Sequence, residues 1–155
     1  MTTLSSDVLQ DDIAVSLGGY LTEKMIFGDL TTGPSNDLQV ATALARDMVT
    51  KYGMSDKIGP VALEGGGGVI WSKGGMSENR EYSEKVGAVI DAEVSAIIEN
   101  GMLRAGEVLK KYRGALKAIA DNLVEVETIE REAFEKILIA NGITPKKKLD
   151  IEHQK

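Results

Sequence analysis

Cysteine is absent from this chain, and histidine occurs once, as His153 near the C-terminal end. Without cysteine there is no disulfide and no thiolate metal site. A catalytic zinc ion usually takes three protein ligands from His, Cys and Asp or Glu, and a set made of carboxylates alone suits zinc poorly. We therefore expect His153 not to be a ligand. We also expect the chain alone to hold neither zinc nor another cofactor.

Aromatic residues, long apolar runs and positive charge are also scarce. Aromatic side chains make up 5% of the 155 residues, which predicts a mostly aliphatic core. No apolar run is long enough to span a bilayer, and we expect no signal peptide. The formal net charge of −6 argues against nucleic acid as a partner. The hydrophobic content of 43% and charged content of 27% are typical of one soluble globular domain.

Residues 31–52 (TTGPSNDLQVATALARDMVTKY) form a turn that leads into an amphipathic helix. Ser35 or Asn36 is placed to cap that helix, and Gly53 is placed to end it. Asp37 falls in the first turn, where the helix dipole stabilises a carboxylate. Two interpretations of Asp37 stay open: a helix-start charge, or a ligand for a metal or substrate. One apolar face is predicted from the spacing of Leu38, Ala41, Ala45, Met48 and Tyr52.

A first helix is predicted before this stretch, capped by Ser5 or Ser6 and ended by Gly28. The adjacent Gly18 and Gly19 lie inside it and cost about 1 kcal/mol each against alanine. We interpret the pair as a site where another backbone packs close; simple tolerance of glycine is the alternative. The apolar face repeats every four residues, at Leu9, Ile13, Leu17, Leu21 and Met25.

The remaining pattern predicts three more helices after a connector. The connector contains residues 65–68 (GGGG) and forms a loose loop or short hairpin; it lacks the context of a phosphate-binding loop. A long helix capped by Ser77 runs to about Arg113, where Gly114 breaks it or marks a bend. Helices over 115–123 and 129–140 follow, the last one capped by Thr128. The chain is thus expected to be a mainly α bundle of about five helices.

Two carboxylates, Asp91 and Glu93, lie inside the long helix in the string VIDAEV. Residues two apart on a helix point to different faces. We therefore interpret them as part of a solvated or salt-bridging face and not as an acid–base pair. No residue of this chain is predicted to be catalytic.

The strings LGGYLTEKMIFG and TTGPSNDLQVATALARDMVTKYGMSDKIGP resemble the FtsH family of ATP-dependent zinc metalloproteases. There the pattern reads GGRxAEExxFG and then TTGAxNDLxxATxxARxMVTxxGMSxxxGP. The resemblance covers residues 5–143. Residues 1–4 are interpreted as a start or expression remnant, and 144–155 as a charged, disordered tail. The chain departs from the family pattern at Tyr20, Lys24 and Pro34.

The resemblance implies the C-terminal, helical part of the peptidase domain, downstream of the HExxH helix that supplies two histidines and the catalytic glutamate. Asp37 matches the family's third zinc ligand. HExxH and the ATPase are absent from this sequence, so the chain alone is expected to be inactive. For the complete protein the resemblance implies a hexamer, tethered to a membrane and facing the cytoplasm (or the matrix or stroma of an organelle). Its implied substrates are unfolded or membrane proteins.

The alternative hypothesis is a non-catalytic helical interaction module, or a degenerate stand-alone paralogue. Such a module would associate with a full-length protease or with itself through its exposed helix faces. The departures at Tyr20, Lys24 and Pro34 weigh mildly toward this alternative.

Overall fold

In the computed structural model, residues 4–28, 31–63 and 82–145 are described. Within these ranges the chain forms five α-helices and no strand, which confirms a mainly α fold. None of the helices there is long and apolar enough to cross a bilayer. The helices are α1 (Ser6–Phe27), α2 (Ser35–Thr50), α3 (Glu84–Lys111), α4 (Arg113–Val126) and α5 (Arg131–Ala140).

The chain divides into two compact units. The N-terminal unit is Leu4–Ala105, and the C-terminal unit contains Gly106–Lys155, so the boundary falls inside α3. The N-terminal unit carries the larger core and contains every residue of the predicted loop and helix around Asp37.

Helix α1 begins and ends as the sequence predicts. The Ser5 side chain accepts a hydrogen bond from the backbone N–H of Val8 at 3.4 Å. Gly28 follows the last turn in a left-handed conformation (φ 68°) and donates its N–H to the Lys24 carbonyl. Only glycine adopts this conformation without a steric cost, which is why the helix ends here.

The core of the N-terminal unit is aliphatic, as predicted. It joins one face of α1 to one face of α2, and partly buried side chains of α3 pack against it. Burying one such large side chain contributes roughly 1.5–3 kcal/mol. Its buried members are Leu9, Ile13, Leu17, Ala41, Ala45 and Met48, and the α3 side chains packed against them are Val94, Ile97, Ile98 and Met102.

Gly101 of α3 lies close to two buried side chains of α1. A β-carbon built on Gly101 would lie 2.9 Å from Ile13 Cγ2 and 3.0 Å from Leu17 Cδ1. Both distances are shorter than carbon–carbon contact allows, so a larger residue at position 101 would displace the core.

Both predicted ends of α2 are shifted. Pro34 is the N-cap and no side chain caps the helix, so the predicted caps Ser35 and Asn36 are wrong. At the other end, Thr50 is the last helical residue and Gly53 (φ 62°) follows the C-cap Lys51 by two positions.

Tyr52 therefore lies beyond the helix that was expected to bury it. Its side chain is 56% exposed, and the prediction that it belongs to the apolar face of α2 is wrong. The backbone N–H groups of Tyr52 and Met54 instead donate to the Asp47 and Met48 carbonyls, which closes the last turn.

The C-terminal unit corrects two further boundaries. The chain leaves the α3 geometry at Tyr112 (φ −109°, ψ 30°), and Gly114 lies inside α4 and does not break a helix. Asn141 explains the glycine: a β-carbon on Gly114 would lie 3.0 Å from Asn141 Oδ1. Thr128 does not cap α5, because Glu127 adopts a left-handed conformation (φ 61°) and Glu130 becomes the N-cap.

Several predictions fall on residues outside the described ranges: the glycine connector 65–68, Ser77 itself, the remnant at 1–3, and His153 with most of the charged tail. The predicted start of the long helix at Ser77 is wrong, because Tyr82 and Ser83 are described and are not helical and α3 begins at Glu84. Residues 61–63, which precede the glycine connector, are described and are not a strand. The Leu63 N–H donates to the Thr50 carbonyl at 2.7 Å.

Candidate functional site

Asp37 lies in the first turn of α2, and its side chain is exposed. The unpaired N–H groups of that turn and the helix dipole favour a negative charge there. Across the described ranges, no protein donor or cation is recorded within bonding distance of the Asp37 carboxylate. Its oxygens therefore remain available to a ligand.

The loop that leads into α2 is held by backbone hydrogen bonds. The Thr31 N–H donates to Glu23 Oε1 at 3.2 Å, and the Gly33 N–H donates to Thr31 Oγ1 at 3.1 Å. The Ser35 N–H then donates to the Thr32 carbonyl at 3.2 Å. The loop is thus tied to α1 at one point and folded on itself at two more.

The two adjacent glycines of α1 differ in how closely they approach Asp37. A β-carbon built on Gly19 would lie 3.2 Å from Asp37 Oδ2, whereas one on Gly18 would meet nothing within 4 Å. The expected approach of another backbone is therefore not found at either glycine among the described residues; the Asp37 side chain approaches Gly19 instead.

The three residues that depart from the family pattern, Tyr20, Lys24 and Pro34, differ in their burial. Pro34 is buried, and its φ of −77° suits the ring constraint and the entry to a helix. Its carbonyl accepts the Leu38 N–H at 3.1 Å, so the proline opens α2 without disturbing the first turn. Tyr20 is half-buried, and Lys24 is exposed in the last turn of α1.

One carboxylate does not make a zinc site. Among the described residues, no group of three or more His, Cys, Asp or Glu side chains could hold a metal ion. A carboxylate oxygen is nonetheless an accepted zinc ligand, at about 2.0–2.2 Å, when imidazoles complete the set. A lone carboxylate such as that of Asp37 could therefore supply at most one ligand of such a site.

Asp91 and Glu93 lie on different faces of α3, as predicted. The Asp91 side chain is 81% exposed, while that of Glu93 is 15% exposed and forms a salt bridge with Lys57 at 2.7 Å. The hydroxyl of Ser55 donates to the other Glu93 oxygen at 2.7 Å. The hydrogen bonds from Lys57 and Ser55 hold the pKa of Glu93 below its usual value. This cluster fastens the segment after α2 to α3.

Sequence reasoning missed two residues that arrange the site and its support. Glu23 was noted only as a family position, yet it holds the loop before α2. Ser55 gave no signal, since a serine in a loop is ordinary. The spacing of Gly19 and Glu23, four residues apart on a helix, could have indicated that both face the same neighbour.

Comparison with known proteins finds matches over most of the chain. The sequence profile of "Peptidase family M41" matches residues 1–137. The "ATP-dependent zinc metalloprotease FtsH 3" of Synechocystis sp. is 43% identical over 140 residues, which are 89% of this chain and 23% of that protein. The "ATP-dependent zinc metalloprotease FtsH" of Bacillus subtilis is 39% identical over 140 residues, or 90% of this chain and 22% of that protein.

A plant relative matches the same part of the chain. "ATP-dependent zinc metalloprotease FTSH 5, chloroplastic" of Arabidopsis thaliana is 39% identical over 137 residues, covering 87% of this chain and 20% of that protein. The chain thus spans less than a quarter of the length of these relatives. The family profile covers 137 of the 155 residues. The chain therefore belongs to peptidase family M41.

Proposed function

We propose that this chain is the C-terminal, helical part of the peptidase domain of an ATP-dependent zinc metalloendopeptidase, and that Asp37 is one zinc ligand. The observation that carries the proposal is the exposed Asp37 carboxylate at the first turn of α2, with no recorded protein partner among the described residues. Membership of family M41 and relatives named as zinc metalloproteases support this proposed role.

The chemistry divides between this chain and the rest of the protease. Zinc, when bound, activates a water for attack on the scissile carbonyl of a peptide. Asp37 would contribute one oxygen ligand and negative charge to that ion, at a position where the helix dipole of α2 favours a negative charge. The two imidazoles and the general base belong to an HExxH helix, which this sequence does not contain. The chain by itself is therefore proposed to be inactive.

A hybrid protease tests the role of Asp37. Residues 5–143 replace the matching segment of the Synechocystis relative, whose own HExxH segment and ATPase stay in place. Zinc content after dialysis and ATP-dependent casein hydrolysis are then measured for the hybrid, for Asp37→Asn and for Asp7→Asn. Asp7 is a matched control because it is the acidic residue in the first turn of α1.

We expect Asp37→Asn to lower hydrolysis about 100-fold or more and to lose most of the zinc, since loss of a ligand exceeds the 10–100-fold cost of losing an outer-shell partner. Asp7→Asn is expected to match the unmodified hybrid. Equal zinc content in the two variants would refute the role of Asp37. Stoichiometric zinc retained by the 155-residue chain alone would refute the proposal that it holds none.

We further propose that the C-terminal unit supplies contact surface between copies of this chain. Its helix α5 has no buried residue, although its sequence is amphipathic. Val124 is 86% exposed and Ile139 is 63% exposed, and such apolar area in one small unit is typical of an interaction surface. A second copy is the proposed partner because the FtsH resemblance implies a hexamer. Membrane tethering of the complete protein and action on unfolded or membrane proteins are proposed on the same resemblance.

A further inference from the structure

We propose that Glu23 is a positioning residue for Asp37: its carboxylate anchors the loop that sets the start of α2. The inference rests on the proposed function of Asp37, and it adds a residue that does not itself contact the metal. It is carried by a series of contacts from α1 through the loop to the first turn of α2.

The first contact joins two segments that are not otherwise hydrogen-bonded at this point. Glu23, half-buried on α1, accepts the backbone N–H of Thr31 at 3.2 Å. Hydrogen bonds to a charged acceptor are about twice as strong as those between neutral groups. The bond therefore fixes Thr31 relative to α1 more firmly than a neutral side chain would.

The next contacts carry this position into the helix. Thr31 uses its own hydroxyl to accept the Gly33 N–H at 3.1 Å, and Thr32 accepts the Ser35 N–H at 3.2 Å. Pro34 then opens α2 with no side-chain cap. The core fixes the body of α2 against α1, and because no side chain caps the N-terminus of α2, the loop that Glu23 anchors helps to fix its first turn.

The last contact returns to α1 one turn before Glu23. Gly19 lies four residues earlier on the same helix face, and a β-carbon there would be 3.2 Å from Asp37 Oδ2. One face of α1 thus anchors the loop with Glu23 and leaves space for the Asp37 carboxylate at Gly19. This face determines where that carboxylate can lie.

The test uses nuclear magnetic resonance on the full 155-residue chain, without metal. It compares the unmodified chain with Glu23→Ala, Glu23→Gln and Asp12→Ala. Glutamine keeps the shape and an acceptor oxygen, and Asp12 is an exposed acidic residue of the same helix. The measurements are amide hydrogen exchange at Thr31 and Gly33 and the carboxyl 13C resonance of Asp37.

We expect Glu23→Ala to speed exchange of both amides about tenfold, the effect of losing one charge-assisted hydrogen bond, and to move the Asp37 resonance. Glu23→Gln is expected to restore most of both effects, and Asp12→Ala to have neither. A loop that loosens while the Asp37 resonance stays fixed would mean that Glu23 has only a structural role. No change at either place would likewise refute the inference.

A second pair of variants tests the space at Gly19 without touching the hydrogen bonds. Gly19→Ala is expected to move the Asp37 resonance and leave Thr31 exchange within twofold of the unmodified chain. Its control is Gly18→Ala, where a β-carbon meets nothing within 4 Å. An unmoved Asp37 resonance in Gly19→Ala would contradict the proposed packing of the carboxylate against α1.

The two proposals fail in separate ways. If Asp37→Asn leaves zinc content of the hybrid unchanged, Asp37 is not a ligand, even where Glu23 is shown to position it. If Asp37→Asn abolishes zinc binding but Glu23→Ala leaves the Asp37 resonance in place, Asp37 is a zinc ligand and Glu23 does not position it.

Discussion

Gly101 gives the sharpest prediction about the packing of the N-terminal unit. Replacing glycine by alanine inside a helix normally stabilises by about 1 kcal/mol. At position 101 the new β-carbon would meet Ile13 Cγ2 at 2.9 Å. That methyl group is fixed by the branched side chain of a fully buried residue, so it cannot rotate away cheaply. Overpacking of a core costs about 1–3 kcal/mol.

The two contributions oppose each other at Gly101, and the overpacking is expected to win. Since Leu17 is also crowded, at 3.0 Å, the cost should lie in the upper part of its range. We expect Gly101→Ala to lower the free energy of unfolding by about 1–2 kcal/mol. Gly106→Ala is the matched control: a β-carbon there meets nothing within 4 Å, on the same helix. It is expected to stabilise by up to about 1 kcal/mol.

Urea denaturation followed by circular dichroism measures both variants. The urea concentration at the unfolding midpoint should fall for Gly101→Ala and should rise or stay the same for Gly106→Ala. Unchanged slopes of the unfolding free energy against urea concentration would show that the two-state treatment holds for each variant. Because the chain has two compact units, amide exchange at Ile13 should confirm that the loss falls on the N-terminal unit. If Gly101→Ala is as stable as Gly106→Ala, the close packing of α3 on α1 described above is wrong.

Two further predictions concern the salt-bridged cluster and the C-terminal unit. Hydrogen bonds from Lys57 and Ser55 lower the pKa of Glu93 from its usual 4.5, so the folded state binds fewer protons than the unfolded one. The resulting stability is present above that value and is lost as pH falls through the folded pKa. Acid titration of unfolding should therefore be flatter in Glu93→Gln, and equal slopes would contradict this. In sedimentation experiments the chain should associate with rising concentration. Val124→Asp should weaken this association, while the control Val15→Asp, at an apolar residue that is 77% exposed on α1, does not. A monomeric chain would refute the proposed contact surface.

Sequence pattern predicted the helices of this chain because their apolar spacing is regular and their partners are aliphatic. The α1 face through Leu9, Ile13 and Leu17 is buried as expected, and its two ends are where the caps place them. These features are local: each depends on residues within one or two turns. Helix number and the approximate place of each helix could therefore be read from the sequence.

The helix ends that were wrong depend on backbone geometry instead. Ser35 is a good capping residue, but the Ser35 N–H donates to the Thr32 carbonyl and is already part of the turn, so Pro34 takes the cap position. Thr128 is displaced in the same way, because the left-handed Glu127 redirects the chain before α5 begins. Propensity ranks candidates for a cap, and the turn before the helix decides among them.

The close contact at Gly101 could not be predicted, because Ile13 lies 88 positions away in the chain (101 − 13). A glycine inside a helix is found both where another group packs closely against it and where its surroundings are open, so the residue alone does not tell which case applies. The structure has both cases on one helix, Gly101 in contact and Gly106 open. The adjacent glycines of α1 differ in the same way: a β-carbon on Gly19 would approach the Asp37 side chain, and one on Gly18 would meet nothing within 4 Å. Spacing along the sequence therefore cannot assign a reason to each glycine.

Asp37 shows most clearly what local pattern leaves undecided. A carboxylate in the first turn of a helix is stabilised by the helix whether or not it binds a ligand. The distinction comes from its surroundings: no recorded protein partner within the described residues, a glycine facing its oxygen, and a loop held by a second carboxylate on the neighbouring helix. These surroundings support a ligand role, whereas a helix-start charge would need neither that space nor that anchor. Glu23→Ala tests only how the carboxylate is positioned. The zinc content of the hybrid protease with Asp37→Asn decides between the two interpretations of Asp37.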